Sequence, residues 1–139
     1  MKYLHKDFHG SLSCGFSYVT EKYGVEGFQE YCKEVARNVY SSLSEKIKES
    51  GLKAIEEHWN NIFTLEEGDF ALYYEGPVLV LEVKECPAIA HMKKRGYKIA
   101  ENFCEHTKLV NEELCRIAGY HSSCDYNQEK GTCIQRFWK

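Results

Sequence analysis

The sequence predicts an α+β fold with helices packed on one face of a four-stranded antiparallel sheet. Apolar residues at helical spacing mark three successive helices and, later in the chain, two more. Strand-like segments occur as two adjacent pairs, each joined by a short turn that contains glycine. Strands that come in hairpins rather than alternating singly with helices are typical of the α+β class. We expect the hairpins to join, since a lone hairpin is rarely stable in water.

The N-terminal half is predicted to hold three helices. The first follows Asp7, a candidate N-cap, and ends at Gly24. The second spans residues 28–47 and has the clearest apolar stripe in the chain. Gly51 ends it, and a third helix with apolar residues from 52 to 63 follows. The acidic run at 66–69 then predicts a solvated turn or, alternatively, a source of a general acid or base.

The C-terminal half is predicted to hold the two hairpins and the two remaining helices. Strands 70–74 and 78–83 flank a turn at 75–77. A short helix begins after Cys86, and a longer one begins near Ile99 and is capped by Gly119. Strands 120–126 and 132–138 form the second hairpin. With 139 residues and no linker, we expect one domain over residues 1–139.

Cys86 is the most informative residue of the sequence. An apolar strand stops at this residue, and Pro87 is favoured as the first residue of a helix. The sulfur would then lie at the helix N-cap, where unpaired N–H groups and the helix dipole stabilise a thiolate. The site prediction is therefore a nucleophile or metal ligand at Cys86. The alternative is a small buried residue that closes a strand.

A nucleophilic cysteine needs a base, and two histidines are candidates. His91 lies about 140° around the helix from Cys86, which suits substrate binding better than proton transfer. His9 lies in the first turn of the first helix and is our predicted general base, with a surface histidine as the alternative. The chain has ten tyrosines, so Tyr18 and Tyr74 are predicted as walls of a substrate pocket.

Composition and charge exclude several functional classes. The net charge is −3 and the basic run at 93–95 is short, which argues against nucleic acid binding. No stretch approaches the roughly 20 apolar residues of a membrane span. The polar N-terminus argues against a signal peptide and predicts a cytoplasmic protein with reduced cysteines. The seven cysteines form no Cys-x-x-Cys pair, so we predict no cofactor and no metal; a metal site assembled from distant segments stays open.

Short motifs along nearly the whole chain resemble the family of L-2-amino-thiazoline-4-carboxylic acid hydrolases. They are Phe8-His9, Glu21-Lys22-Tyr23-Gly24, Gly51-Leu52, Cys86-Pro87-Ala88-Ile89 with His91-Met92, Val110-Asn111, and Gly131 before Phe137. The resemblance implies hydrolysis of a cyclic carbon–nitrogen bond, and it assigns no residue a catalytic role. The helix-capping cysteine with Cys124 and Cys133 also resembles vinyl-reductase-type domains, which implies a sensor or carrier of ligands or metals.

Two functions are therefore expected. In the first, a hydrolase uses Cys86 as nucleophile, His9 as general base or acid, and helix N–H groups to stabilise developing charge. In the second, a non-catalytic module holds a metal or small ligand through Cys86, His9 or His91. Both predict a small-molecule partner, and a second copy of the chain is a further candidate partner.

Overall fold

A computed structural model describes residues 5–139 and confirms the predicted α+β class. Its elements, in chain order, are α1 (Phe8–Val39), α2 (Ser41–Ser50), α3 (Leu52–Leu65), β1 (Asp69–Glu75), β2 (Val78–Glu85), α4 (Pro87–Arg95), α5 (Phe103–Ala118), β3 (His121–Asn127) and β4 (Thr132–Trp138). In the described part of the chain, no helix combines the length and the hydropathy that crossing a bilayer requires.

The two hairpins join into one antiparallel sheet of order β1-β2-β4-β3. The junction is the β2–β4 pair, in which Leu79 lies opposite Phe137 and Leu81 opposite Gln135. These four side chains are buried on the face toward the helices. Because successive strand residues point to opposite faces, the same register directs Cys133 and Cys124 toward the helices as well.

The helix boundaries differ from the prediction at two points. Gly24 interrupts α1 with φ 75° and ψ −175°, so the helical path breaks at the predicted residue but resumes at once. The predicted helix over 28–47 is wrong in its extent, since it ends at Val39 and a new helix starts at Ser41. Val39, placed on the buried stripe by its spacing, is 67% exposed. The stripe therefore belongs to two helices that change direction at Tyr40.

Asp7 precedes α1 but does not cap it with its side chain. The carboxylate instead accepts hydrogen bonds from His91 Nε2 and the Tyr97 hydroxyl, each at 2.8 Å. The predicted role of Asp7 as a capping residue is wrong because these partners from α4 and the segment after it occupy the carboxylate. The contact instead joins the start of α1 to the end of α4.

The longer helix predicted from Ile99 begins only at Phe103. The preceding segment is held against α1 by Ser13, whose hydroxyl donates to the Lys98 carbonyl at 3.1 Å and accepts from the Ala100 N–H at 2.7 Å. Ser13 is 1% exposed. Satisfying two backbone groups in an irregular segment lets that segment be buried without unpaired polar atoms.

Candidate functional site

Cys86 occupies the N-cap of α4, as the sequence predicts, with Pro87 at the first helical position. Its backbone N–H donates to the carbonyl of Gly131 at 2.8 Å, which fixes the start of α4 to the β3–β4 turn. The N–H groups of Ala88 and Ile89 approach the sulfur closely enough to favour its charged form. They do so without forming a regular capping hydrogen bond.

The net effect on the Cys86 thiol is opposite to the prediction. Burial raises the pKa of Cys86 and outweighs the lowering by the helix N–H groups. Nearby negative charge on Cys133 and Glu66 raises the pKa further. The helix N–H groups thus act on Cys86 in the predicted direction, but burial outweighs them and the pKa of the thiol lies above its ordinary value.

His9 is buried, so the alternative of a surface histidine is wrong. Its Nε2 lies 2.6 Å from Glu66 Oε1, and the two side chains are 10% and 13% exposed. Glu66 belongs to the acidic run after α3, which the sequence analysis considers as a possible source of a general acid or base. Among the described residues, no hydrogen bond joins the His9 ring to the Cys86 sulfur.

His91 contacts Asp7, whereas Tyr18 lies further along α1. The His91 imidazole and then the Tyr97 hydroxyl hold the pKa of Asp7 below its usual value. Asp7 and Tyr18 line an open groove of about 540 Å³ along α1, and His91 is not part of its lining. The predicted part of His91 and Tyr18 in substrate binding stays a prediction.

Tyr74 lies at the turn end of the first hairpin, opposite Leu79. Its hydroxyl donates to Glu56 Oε1 at 3.1 Å. Cys86 lies seven positions after Leu79, and at about 3.3 Å per strand residue this distance is roughly 23 Å. The structure does not bring Tyr74 and Cys86 together.

Four cysteines converge on one cavity between the sheet and the helices. The cavity has a volume of about 80 Å³. Its cysteines come from four elements: the α4 cap, α5, β3 and β4. The lining consists of Cys86, Cys104, Cys124 and Cys133 together with Trp59, Phe63, Val83, Phe103, Thr107, Tyr126, Gly131, Thr132 and Gln135. From the sequence, Cys86 is linked with Cys124 and Cys133 only through a resemblance, and Cys104 and the cavity are missed because these residues are distant in the chain.

The four thiols differ in their electrostatic environment. Burial raises the pKa of Cys104 to about 12, and the charges of Cys86 and Cys133 act in the same direction. Cys124 and Cys133 form a hydrogen-bonded pair in which the pKa of Cys124 is raised and that of Cys133 is lowered. The pair therefore titrates as a unit, and the Gln135 amide at 3.5 Å favours the charge on Cys133.

A pair of buried amide side chains, Asn111 and Gln135, lies next to the Cys133 sulfur. Asn111 Nδ2 donates to Gln135 Oε1 at 2.8 Å, and Gln135 Nε2 lies 3.5 Å from the Cys133 sulfur. Asn111 and Gln135 are 3% and 2% exposed. Because the carbonyl end of Gln135 is occupied by Asn111, its amide nitrogen is held toward the sulfur.

The chemistry of the cavity follows from its lining and its size. Across residues 5–139, no three Cys, His, Asp or Glu side chains are arranged to hold a metal ion. The walls are mainly aromatic rings and thiols, with one valine, one glycine, two threonines and one amide. An apolar cavity of about 150 Å³ binds benzene, so a cavity of about 80 Å³ takes a smaller, uncharged molecule.

Comparison with known proteins finds no matching protein-family model and no matching curated protein. The resemblance to the thiazoline hydrolases therefore stays a prediction from the sequence. The fold and the site together define an α+β domain with a cysteine-lined cavity beneath its sheet.

Proposed function

We propose that the protein binds a small, uncharged molecule in the cavity lined by Cys86, Cys104, Cys124 and Cys133. The observation that carries the proposal is the convergence of four cysteines from four elements on one apolar cavity. Core packing alone would not require thiols at all four positions, since aliphatic side chains fill such spaces equally well. The proposal keeps small-ligand binding and Cys86 from the alternative predicted from the sequence, but Cys104, Cys124 and Cys133 take the place of His9 and His91.

The charge state of the lining supports an uncharged ligand. The pKa values of Cys86, Cys104 and Cys124 are all raised, so these walls are neutral near pH 7. A charged ligand would lose its hydration on entering and would find no opposite full charge among them. A small molecule with a polarisable or weakly polar atom can instead contact the sulfurs and the aromatic rings.

Binding can be tested with dimethyl sulfide as an uncharged probe and acetate as a charged one. We expect saturable chemical-shift changes at amides of the cavity residues with dimethyl sulfide and none with acetate. Cys124→Leu, which fills the cavity, should abolish them, whereas Cys14→Leu at an exposed position should not. If Cys124→Leu does not fold, Cys104→Leu fills the same space from α5.

Two results would overturn the binding proposal. One is the absence of saturable shifts in the unmodified protein, and the other is equal shifts in a protein with a filled cavity. Stoichiometric metal in protein purified without added metal would also overturn it, because the thiols would then serve as ligands of an ion.

Hydrolysis of a cyclic amidine-type carbon–nitrogen bond is the second candidate, and the buried His9–Glu66 pair favours it. A carboxylate that holds an imidazole at 2.6 Å orients it for proton transfer. Since burial keeps Cys86 protonated, such a mechanism requires His9 to accept the thiol proton as the sulfur attacks the amidine carbon. The N–H groups at the start of α4 would then stabilise charge developing at that point.

The hydrolase candidate is tested with 2-amino-thiazoline-4-carboxylate as substrate. We expect His9→Gln, Glu66→Gln and Cys86→Ser each to lower kcat by about 100-fold or more, with circular dichroism unchanged. His121→Gln, at an exposed ring, is the matched control and should retain full turnover. Turnover retained in both Cys86→Ser and His9→Gln would exclude this mechanism.

A further inference from the structure

We propose that Cys133, rather than Cys86, is the reactive thiol of the protein and that it captures small, uncharged soft electrophiles as covalent adducts. The proposal rests on the cavity being a ligand site and names the chemical class of the ligand. It follows from two donors that converge on one sulfur and from the place of this sulfur in the lining of the cavity.

The two donors are the Cys124 thiol and the Gln135 amide. Cys124 lies on the neighbouring strand, opposite Gln135, so its side chain is the diagonal neighbour of Cys133 on the same face of the sheet. Gln135 Nε2 lies 3.5 Å from the Cys133 sulfur and cannot turn away without breaking its hydrogen bond to Asn111. Hydrogen bonds to a charged sulfur favour the thiolate, and the thiolate is the nucleophilic form.

Hydrogen bonding distinguishes Cys133 from the other buried thiols. Burial raises the pKa of Cys32, Cys104 and Cys115 to about 12 in each case, so these remain protonated. At Cys133 burial acts in the same direction, but the hydrogen bonds from Cys124 and Gln135 outweigh it and lower the pKa. The strongest nucleophile of the cavity is therefore placed on β4.

Cys133 is also accessible to a ligand in the cavity. It lines the cavity of about 80 Å³, and the strand register directs its side chain toward the helices. A small molecule in the cavity can thus approach this sulfur. Cys133 is partly exposed, whereas Cys124 is buried.

The reaction with an uncharged α,β-unsaturated amide is a conjugate addition. The Cys133 thiolate forms a carbon–sulfur bond at the β-carbon, and the π electrons of the carbon–carbon double bond move onto the carbonyl as an enolate. Water then supplies a proton to the α-carbon. The addition needs no oxidant or reductant. The proton that the Cys133 thiol loses to solvent is balanced by the proton that the α-carbon gains from water.

The test uses acrylamide, a small uncharged α,β-unsaturated amide, on the folded protein with site-resolved mass spectrometry between about pH 5.5 and 9. At pH 7 we expect Cys133 to be labelled at least 10-fold faster than Cys86, Cys104 and Cys124. The labelling rate of Cys133 should level off at a lower pH than that of Cys104, whose pKa burial raises to about 12.

Gln135→Met removes the amide donor while keeping a similar shape. It should slow labelling of Cys133 several-fold at pH 7 and move its pH profile upward, and the exposed Gln29→Met is the control. Should Gln135→Met unfold the chain, Cys124→Ala removes the other donor and predicts the same shift. Labelling of Cys133 no faster than that of Cys104, or a profile unaffected by either variant, would overturn the proposal.

The outcomes separate this proposal from the binding function. Saturable dimethyl sulfide binding without selective labelling of Cys133 would refute the reactive thiol and leave the cavity as a ligand site. Selective labelling without any saturable binding would refute the ligand site and leave a reactive thiol without a bound ligand.

Discussion

His106 should make the fold sensitive to mild acid. Its ring stacks on Phe16 with centroids 4.4 Å apart, and burial lowers its pKa to about 4 from an ordinary 6.5. The unfolded chain therefore binds a proton at a higher pH than the folded chain does. The free energy of unfolding should fall as the pH drops from 6.5 to about 4 and then level off for this group.

The size of the effect follows from the same two values. A pKa change from 6.5 to about 4 corresponds to about 3 kcal/mol of unfolding free energy lost between these pH values. His58, whose pKa burial also lowers, adds to the acid sensitivity in the same direction. A substitution at His106 alone is needed to isolate its share.

His106→Phe keeps a ring in the stack and carries no titratable group. Urea unfolding followed by tryptophan fluorescence, from about pH 7.5 to 4, gives the free energy at each pH. We expect the variant to lose about 3 kcal/mol less than the unmodified protein across this range. His121→Phe, at an exposed ring, is the control for replacing a histidine by phenylalanine. Parallel curves for the unmodified protein and His106→Phe would refute the reasoning.

Three further predictions concern other parts of the chain. Hydrogen bonds from Arg116 and then Arg37 lower the pKa of Glu113 to about 2 from 4.5, although burial acts in the opposite direction. Glu113→Gln should therefore cost about 2 kcal/mol at pH 7, and the cost should shrink as the pH falls from 4.5 toward 2 in urea unfolding. Ser13→Ala should cost about 2 kcal/mol by leaving two buried backbone groups unpaired, whereas the exposed Ser11→Ala should be neutral in the same assay. Cys86, whose pKa is raised, should react with neutral iodoacetamide only at higher pH than a free thiol; rapid labelling at pH 6 would contradict this.

Local sequence patterns predict most of the fold and, in the site, the position of Cys86 at the start of α4. The Cys86-Pro87 boundary, the Gly24 break and the pairing of the two hairpins each depend on neighbouring residues or on the simplest way to bury a sheet face. The break at Tyr40 was missed, because a helical stripe on both sides of a short bend keeps its periodicity.

The cavity was not predictable in the same way. Cys124 and Cys133 lie at inward positions of their strands, which strand alternation alone could have indicated. Their meeting with Cys104 and Cys86 depends on how α5 lies over the sheet, and no local pattern encodes that. The environment of Cys86 shows the same limit: the helix terminus is a local feature that favours a thiolate, whereas the burial that overrides it comes from distant elements.

The strand order has a consequence for the dynamics of the cavity. Leu81 and Gln135 are paired across β2 and β4 although they lie 54 positions apart, whereas each hairpin closes over a short turn. Docking the hairpins therefore closes the longest loop of the sheet, a step that slows folding. The cavity exists only once the hairpins are docked, so an occupant would oppose their separation. Amide hydrogens along β2 and β4 should then exchange more slowly when the cavity is filled.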